Sequence, residues 1–181
     1  HLAYHPVRRA FQPVTVVVAE EGQQITVFGV NDSPEDWAGE LRYGLFTLKG
    51  SLPVDKRLAV SLPANTSTAL AQVSRAEWEA LGLRASGAFA LFYKNGKLVA
   101  QHRLFAERFK DLGFAEPSIR LAQQDGTLTL TSDVFVWGVC LDVEGDARLA
   151  DNCFDLLPGV PYEVAWAAEL GAPRVARVGS C

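Results

Sequence analysis

The sequence predicts an all-β protein: two tandem immunoglobulin-like β-sandwiches, with one short helix in the first. Three observations lead there. Short runs rich in Val, Ile, Phe, Thr and Tyr recur along the whole chain, at strand rather than helix length. Clusters of Gly, Pro, Asn and Asp separate them. The pattern stops near residues 109–113 and then restarts, which sets domains at 1–112 and 113–181.

In the first domain the β-branched run 14–18 opens the series, and 25–30 follows. Asn31, Asp32, Ser33 and Pro34 then form a turn cluster. Residues 41–48 alternate over much of their length, and 58–62 make another strand before the punctuation at 63–66. Residues 86–93 and 98–105 flank Asn95-Gly96. That pair is a strong hairpin signal, because a type I′ turn needs positive φ at both central residues. About seven strands in roughly 100 residues suit an immunoglobulin-like sandwich. The one helix starts at Ser74, an N-cap with Glu77 at capping-box spacing. Trp78 and Leu81 share its face and Gly82 ends it.

In the second domain, 119–122 pairs with 127–131 across Gln124, Asp125 and Gly126. Residues 134–143 read as a long strand broken at Gly138, and 162–166 and 174–178 as two more. Between them lies the most informative stretch, 149–159. Phe154 and Leu156 are two apart and share a strand face. Pro158 presets φ for the first central position of a turn, and Gly159 accepts the positive φ a type II turn needs next. Asp151, Asn152 and Asp155 flank this corner, where carboxylates commonly bond backbone N–H groups. A sandwich of about 70 residues buries only about 60% of its unfolded surface, so this domain is expected to dock on its neighbour. The connection at 108–114 carries Phe109, Leu112 and Phe114 rather than Gly and Ser, which predicts a fixed link.

Composition narrows the function. The formal net charge is −4 and no Lys/Arg run tracks phosphates, so no nucleic-acid partner is expected. No stretch of about 18 apolar residues exists, so no membrane-spanning helix is expected. The chain opens on His1 and contains no Met, and it reads as a piece of a longer protein in which any targeting signal would lie upstream. Cys140, Cys153 and Cys181 are odd in number and none sits in a CxxC pair. They read as thiols, which would suit a cytoplasmic setting, and not as metal ligands. A Cys140–Cys153 bridge is open, but sequence does not set the Cβ separation it requires. His1, His5 and His102 lack metal-ligand spacing, and neither a Gly-x-Ser-x-Gly elbow nor a phosphate loop is present. No cofactor and no metal are expected.

The run Asp151-Asn152-Cys153-Phe154-Asp155-Leu156-Leu157-Pro158-Gly159 resembles the signature of the last β-sandwich in β-mannosidases of glycoside hydrolase family two. Ala150 stands where Ser is usual, and Cys153 where Tyr is usual. Arg9-Ala10-Phe11-Gln12-Pro13-Val14 resembles the lead-in to the preceding sandwich, and Val30-Asn31-Asp32-Ser33-Pro34 that domain's turn. The three matches come in family order. The resemblance implies a non-catalytic accessory fragment. Its catalytic glutamates would sit in an upstream (β/α)₈ barrel of the same chain, and the parent would hydrolyse terminal β-mannosides with retention. Related exo-β-glucosaminidases share this architecture.

The carboxylates here agree with that absence. A retaining pair must stand about 5–5.5 Å apart, and a barrel takes about 250 residues. Glu20 and Glu21 are consecutive, so on a strand they face opposite ways. Asp142, Glu144 and Asp146 surround Gly145 and read as a solvated loop. Among the aromatics, Trp37 follows the 31–36 cluster in an expected loop. With Asn31 and Asp32 it is the candidate contact for a sugar or for the barrel, since an indole offers an apolar face and a polar edge. Trp78 is expected to plug the helix onto its sandwich. Trp137, with Phe135, Val139 and Leu141, and Trp166, with Tyr162 and Val164, are expected in the second core. Two rival readings are a carbohydrate-binding module and a structural protein of immunoglobulin-like repeats with no enzyme attached.

Overall fold

The computed structural model describes residues 3–179, so the readings of His1 and Cys181 lie outside the described residues. The chain divides into two compact units. A central unit runs from Gln12 to Gly113, and a split unit joins the chain's start, up to Phe11, with everything from Phe114 onward. The expected boundary at 112/113 lies one residue away, but the first eleven residues group with the second domain and not the first.

That opening stretch carries a helix the sequence did not announce, α1 (Tyr4–Ala10). Seven residues are too few for a clear period, and Pro6 looks like a breaker. In the first turn of a helix, however, proline removes no needed hydrogen bond. Arg8 and Arg9 occupy the last turn, where cations complement the helix dipole.

The central unit contains seven strands, six of them at positions expected from the sequence: β1 (Val14–Glu21), β2 (Gln24–Asn31), β3 (Trp37–Thr47), β4 (Val54–Leu62), β5 (Thr66–Ser74), β6 (Ser86–Lys94) and β7 (Lys97–Leu104). They form two antiparallel sheets, β1-β2-β5 and β4-β3-β6-β7. β1 shows the alternation of a half-buried strand, with Val14, Val16 and Val18 in the core. Leu41, Leu45, Ala88, Ala90 and Phe92 belong to the same cluster. β5 was not legible as a strand, because Thr, Ser and Ala dominate it and only Val73 is buried. It is an edge strand, placed by its pairing with β2. β4 is the edge of the other sheet, and its Asp55, Lys56 and Arg57 keep that edge wet. β3 and β4 approach so closely at Gly44 that a Cβ there would strike the Val54 carbonyl. The Asn95-Gly96 hairpin forms as expected, with φ of 53° and 75°.

Helix α2 (Arg75–Leu81) leaves β5 at Ser74, whose N–H donates to Glu77 Oε2 at 3.4 Å. Trp78 is fully buried, and its indole N–H donates to Ser86 Oγ at 3.1 Å. Ser86 Oγ in turn donates to the Gly82 carbonyl at 2.6 Å, closing the helix onto β6.

The split unit holds β8 (Ile119–Gln124), β9 (Thr127–Ser132), β10 (Val136–Val139), β11 (Phe154–Leu156) and β12 (Tyr162–Ala165). Its sheets are β12-β9-β8 and β10-β11. The Asp125-Gly126 turn takes the two positive φ values of a type I′ hairpin, 48° and 74°. The long strand expected over 134–143 shortens to β10. An extra residue bulges between the pairs Val136↔Leu156 and Val139↔Phe154, at Gly138 with φ 59°. The strand expected at 174–178 reduces to one bridge, Cys140↔Arg177. Trp137 is half-buried rather than a core residue, and it stacks on Phe114 at 6.3 Å. Trp166 is buried as expected. Of the connecting aromatics, Phe109 meets Phe105 edge-on at 5.4 Å and Phe114 stacks on Phe135 at 6.1 Å.

Candidate functional site

Around Asn31 the sequence candidates part company. Asn31 is fully buried. Its amide nitrogen donates to the carbonyls of Glu35 and Leu62, at 2.8 and 2.9 Å. Its oxygen accepts from the Ser33 N–H and hydroxyl. Both ends are engaged in building the 31–36 turn, so Asn31 shapes that loop. Asp32 is exposed and its N–H is tied to the Pro13 carbonyl at 2.7 Å. Trp37 is the first residue of β3 and not a loop residue, because it pairs with Leu62 across the ladder. It packs partly against the core, and Lys94 Nζ lies 3.8 Å from its ring centroid. A cation on that face is a stable arrangement in its own right.

The corner brings more together than the sequence indicated. Leu157, Pro158, Gly159 and Val160 form the expected type II turn: Gly159 has φ 67° and the Val160 N–H donates to the Leu157 carbonyl at 3.1 Å. Phe154 is 1% exposed and its ring stacks on Tyr162, 4.1 Å between centroids and 10° from parallel. Asp155 Oδ1 accepts the Gly138 N–H at 2.8 Å, pinning the bulge. Asn152, 5% exposed, is a clip. Its Oδ1 accepts from the N–H groups of Leu141 and Cys153, and its Nδ2 donates to the Asp142 carbonyl at 2.7 Å. Asp142 folds the intervening loop on itself, accepting N–H bonds from Glu144 and Ala147. Those backbone donors, Ala147 first, hold its carboxyl below the usual carboxylate range.

Arg9 arrives from α1 and completes the corner. Its guanidinium pairs with the Asp151 carboxylate and donates to the carbonyls of Asn152 and Cys153, at 3.0 and 2.6 Å. Arg8 reaches the Ala150 carbonyl at 3.3 Å. Asp151 also accepts the Tyr162 hydroxyl at 2.5 Å. Burial, and then the neighbouring carboxylate, push that phenol's pKa upward, so it stays a donor. Two motifs that support the family resemblance, 9–14 and 151–159, are thus contact partners 142 residues apart. The role of Arg9 was not read from sequence; the signal available was the pairing of two charged motif residues of opposite sign.

Beside this corner lies a cavity of about 290 Å³ lined by Tyr4, His5, Arg8, Asp142, Arg148 and Asn152 among others. His5 Nδ1 is 3.7 Å from Asp151, and burial lowers the imidazole pKa despite that carboxylate. Among the described residues, no group of three or more His, Cys, Asp or Glu could hold a metal ion. Among the described residues, no helix is long and apolar enough to cross a membrane.

A seven-stranded sandwich and a smaller one closed by a hydrogen-bonded corner define a tandem of immunoglobulin-like β-sandwich domains. The chain belongs with the immunoglobulin-like accessory domains of the mannosidases: residues 23–111 match the Mannosidase Ig/CBM-like domain and residues 111–175 the Ig-fold domain of the same series. No curated protein matches the sequence. Among solved structures, a β-D-mannosidase from Dictyoglomus thermophilum superposes with a TM-score of 0.79 at 23% identity, over 90% of this chain and 20% of that one. An exo-chitosanase from Amycolatopsis orientalis superposes with a TM-score of 0.56 at 15% identity, over 94% of this chain and 25% of that one. The chain therefore spans a fifth to a quarter of the length of these structural relatives.

Proposed function

We propose that this chain is the C-terminal accessory part of a β-mannosidase-like glycoside hydrolase whose catalytic barrel lies upstream in the same polypeptide. The observation that carries the reading is the likeness to a β-D-mannosidase over 90% of this chain but only 20% of that enzyme. The parent hydrolyses terminal β-linked mannose with retention, and the two sandwiches brace its barrel. An apolar stripe along α1 and its C-cap residue supports the bracing role. Tyr4, Val7 and Phe11, at 59%, 52% and 83% exposure, stand at i, i+3 and i+7 and form an apolar stripe in water.

The test starts from the full reading frame and the purified parent. The parent should cleave an aryl β-mannoside faster than the matching β-glucosaminide and release the β-anomer first. The 181-residue chain alone should leave both untouched. A reading frame of further sandwiches without a barrel would refute the reading, as would turnover that follows the isolated chain through purification. Phe11→Asp should lower the melting temperature of the parent and leave that of the isolated chain unchanged. Saturable glycan binding by the isolated chain, abolished by Trp37→Ala, would move the function to a carbohydrate-binding module.

A further inference from the structure

The register of the split unit sets two cysteines face to face. Val139 pairs with Phe154, and continuing that antiparallel ladder by one residue on each side places Cys140 opposite Cys153. Directly opposed residues on neighbouring strands bring their Cβ atoms near the separation a cross-link spans. Cys140 is fully buried and Cys153 is 5% exposed. Their sulfurs lie 2.9 Å apart, inside the contact distance of two unbonded sulfur atoms. Both backbones are held from outside the pair. Cys140 exchanges hydrogen bonds with Arg177, and Cys153 sits at φ 55° with its N–H on Asn152 Oδ1 and its carbonyl on Arg9.

We infer that Cys140 and Cys153 are a disulfide site, oxidised by thiol–disulfide exchange with a small or protein disulfide while the chain folds. One thiolate attacks the oxidant's disulfide, forming a mixed disulfide and releasing one oxidant thiol. The second cysteine's thiolate then attacks the protein sulfur of that mixed disulfide and releases the other thiol. Two electrons pass to the oxidant, and the two protons the cysteines gave up balance its two thiol products. The bond closes the loop that Asn152 already clips, from Leu141 to Asn152 itself, and so reinforces one hydrogen-bonded device with a covalent one. Burial then shields the bond from reductant. The resemblance to family two gives Tyr at the position of Cys153, so the site is a feature of this chain.

The experiment uses the whole chain carrying Cys181→Ser, which removes the remaining thiol. It is refolded from denaturant with oxidised glutathione, unfolded again, alkylated and weighed. The expected product carries no alkyl group, has lost two hydrogens, and yields one peptide linking Cys140 to Cys153. It should melt several degrees above the same protein refolded in dithiothreitol, as expected for a closed loop in a small domain. Two alkylated thiols after oxidation would overturn the inference, and so would glutathione retained on either cysteine. An unchanged melting temperature would overturn the clamping role. The reading needs no substitution at either cysteine, so a misfolded variant cannot obscure it.

Discussion

The Asn152 side chain makes three protein hydrogen bonds, and its neighbours depend on them. Removing its amide leaves the Leu141 N–H and the Asp142 carbonyl without their partner in a buried corner. Each such orphan costs about 1–3 kcal/mol, so Asn152→Ala should destabilise the split unit by at least about 2 kcal/mol in a denaturant melt. Asn152→Asp keeps the acceptor but loses the donor, and should fall between. Phe154 is larger in effect. Its ring is buried and stacked on Tyr162, and Phe154→Ala should cost about 3–5 kcal/mol. A loss below about 1 kcal/mol would remove Phe154 from the core. His102 provides a pH test. Its Nδ1 accepts the Val18 N–H at 3.1 Å, which requires the neutral ring, and burial, with Arg103 beside it, lowers its pKa below the ordinary 6.5. The unfolded chain therefore binds the proton first as pH falls. Stability should be complete above about pH 7 and decline below about 6.5, by up to about 1.4 kcal/mol per pH unit for this group. His5, also lowered, adds in the same direction. His102→Phe should flatten the decline measured by denaturant melts from pH 7.5 to 5; an unchanged slope would assign it elsewhere.

Elements were legible where local chemistry alone decides them. Asn95-Gly96 and Asp125-Gly126 announce their turns because few residues other than Gly, Asn and Asp tolerate positive φ. Pro158-Gly159 announces the corner for the same reason, and Gly159→Val should weaken it: nothing blocks a side chain there, but φ is 67°. Gly159→Asn, which accepts that φ, should be tolerated in the same melt. Elements set by their neighbours were not legible. β5 has no hydrophobic alternation of its own and exists because β2 offers a ladder. Trp37 was expected in a loop and became the start of β3, because Leu62 pairs with it. Asn31 reads locally as a turn residue and a candidate contact for a sugar or the barrel, but its turn places it inside. α1 was missed for both reasons, being short and organised by contacts with residues more than 140 positions away. Asp151, Asn152 and Asp155 each accept a backbone N–H at the corner, a role that a turn suggests locally, but the link from Asp151 and Asn152 to Arg9 is a tertiary fact.

At the scale of the molecule, the arrangement of cores makes one unit continuous in sequence and the other not. The central unit holds the β1-β2-β5 and β4-β3-β6-β7 sheets, the Trp78 plug and an apolar cluster between the sheets. The split unit is small, roughly 80 residues, in the range where a single core leaves little margin. It also takes its Arg9 from the far side of the central unit's sequence. Hydrogen bonds to a charged group contribute about 1.5–3 kcal/mol, and three of Arg9's acceptors lie in the corner. Removing residues 1–11 should therefore destabilise the split unit by about 2 kcal/mol or more. It should leave residues 12–113 as stable as before, read separately from Trp78 and Trp137 by using Trp→Phe variants of the other tryptophans as fluorescence probes. Arg9→Met, which keeps the aliphatic stem, should reproduce most of that loss. Residues 12–113 alone should fold cooperatively, since they hold the whole buried cluster that runs from Val14 to Phe92. Residues 114–181 should gain stability when the 1–11 peptide is joined to Phe114 through a short flexible linker. Equal stability of 114–181 with and without that peptide would show that the helix only decorates the unit, and that the meeting of the two motifs is geometric coincidence.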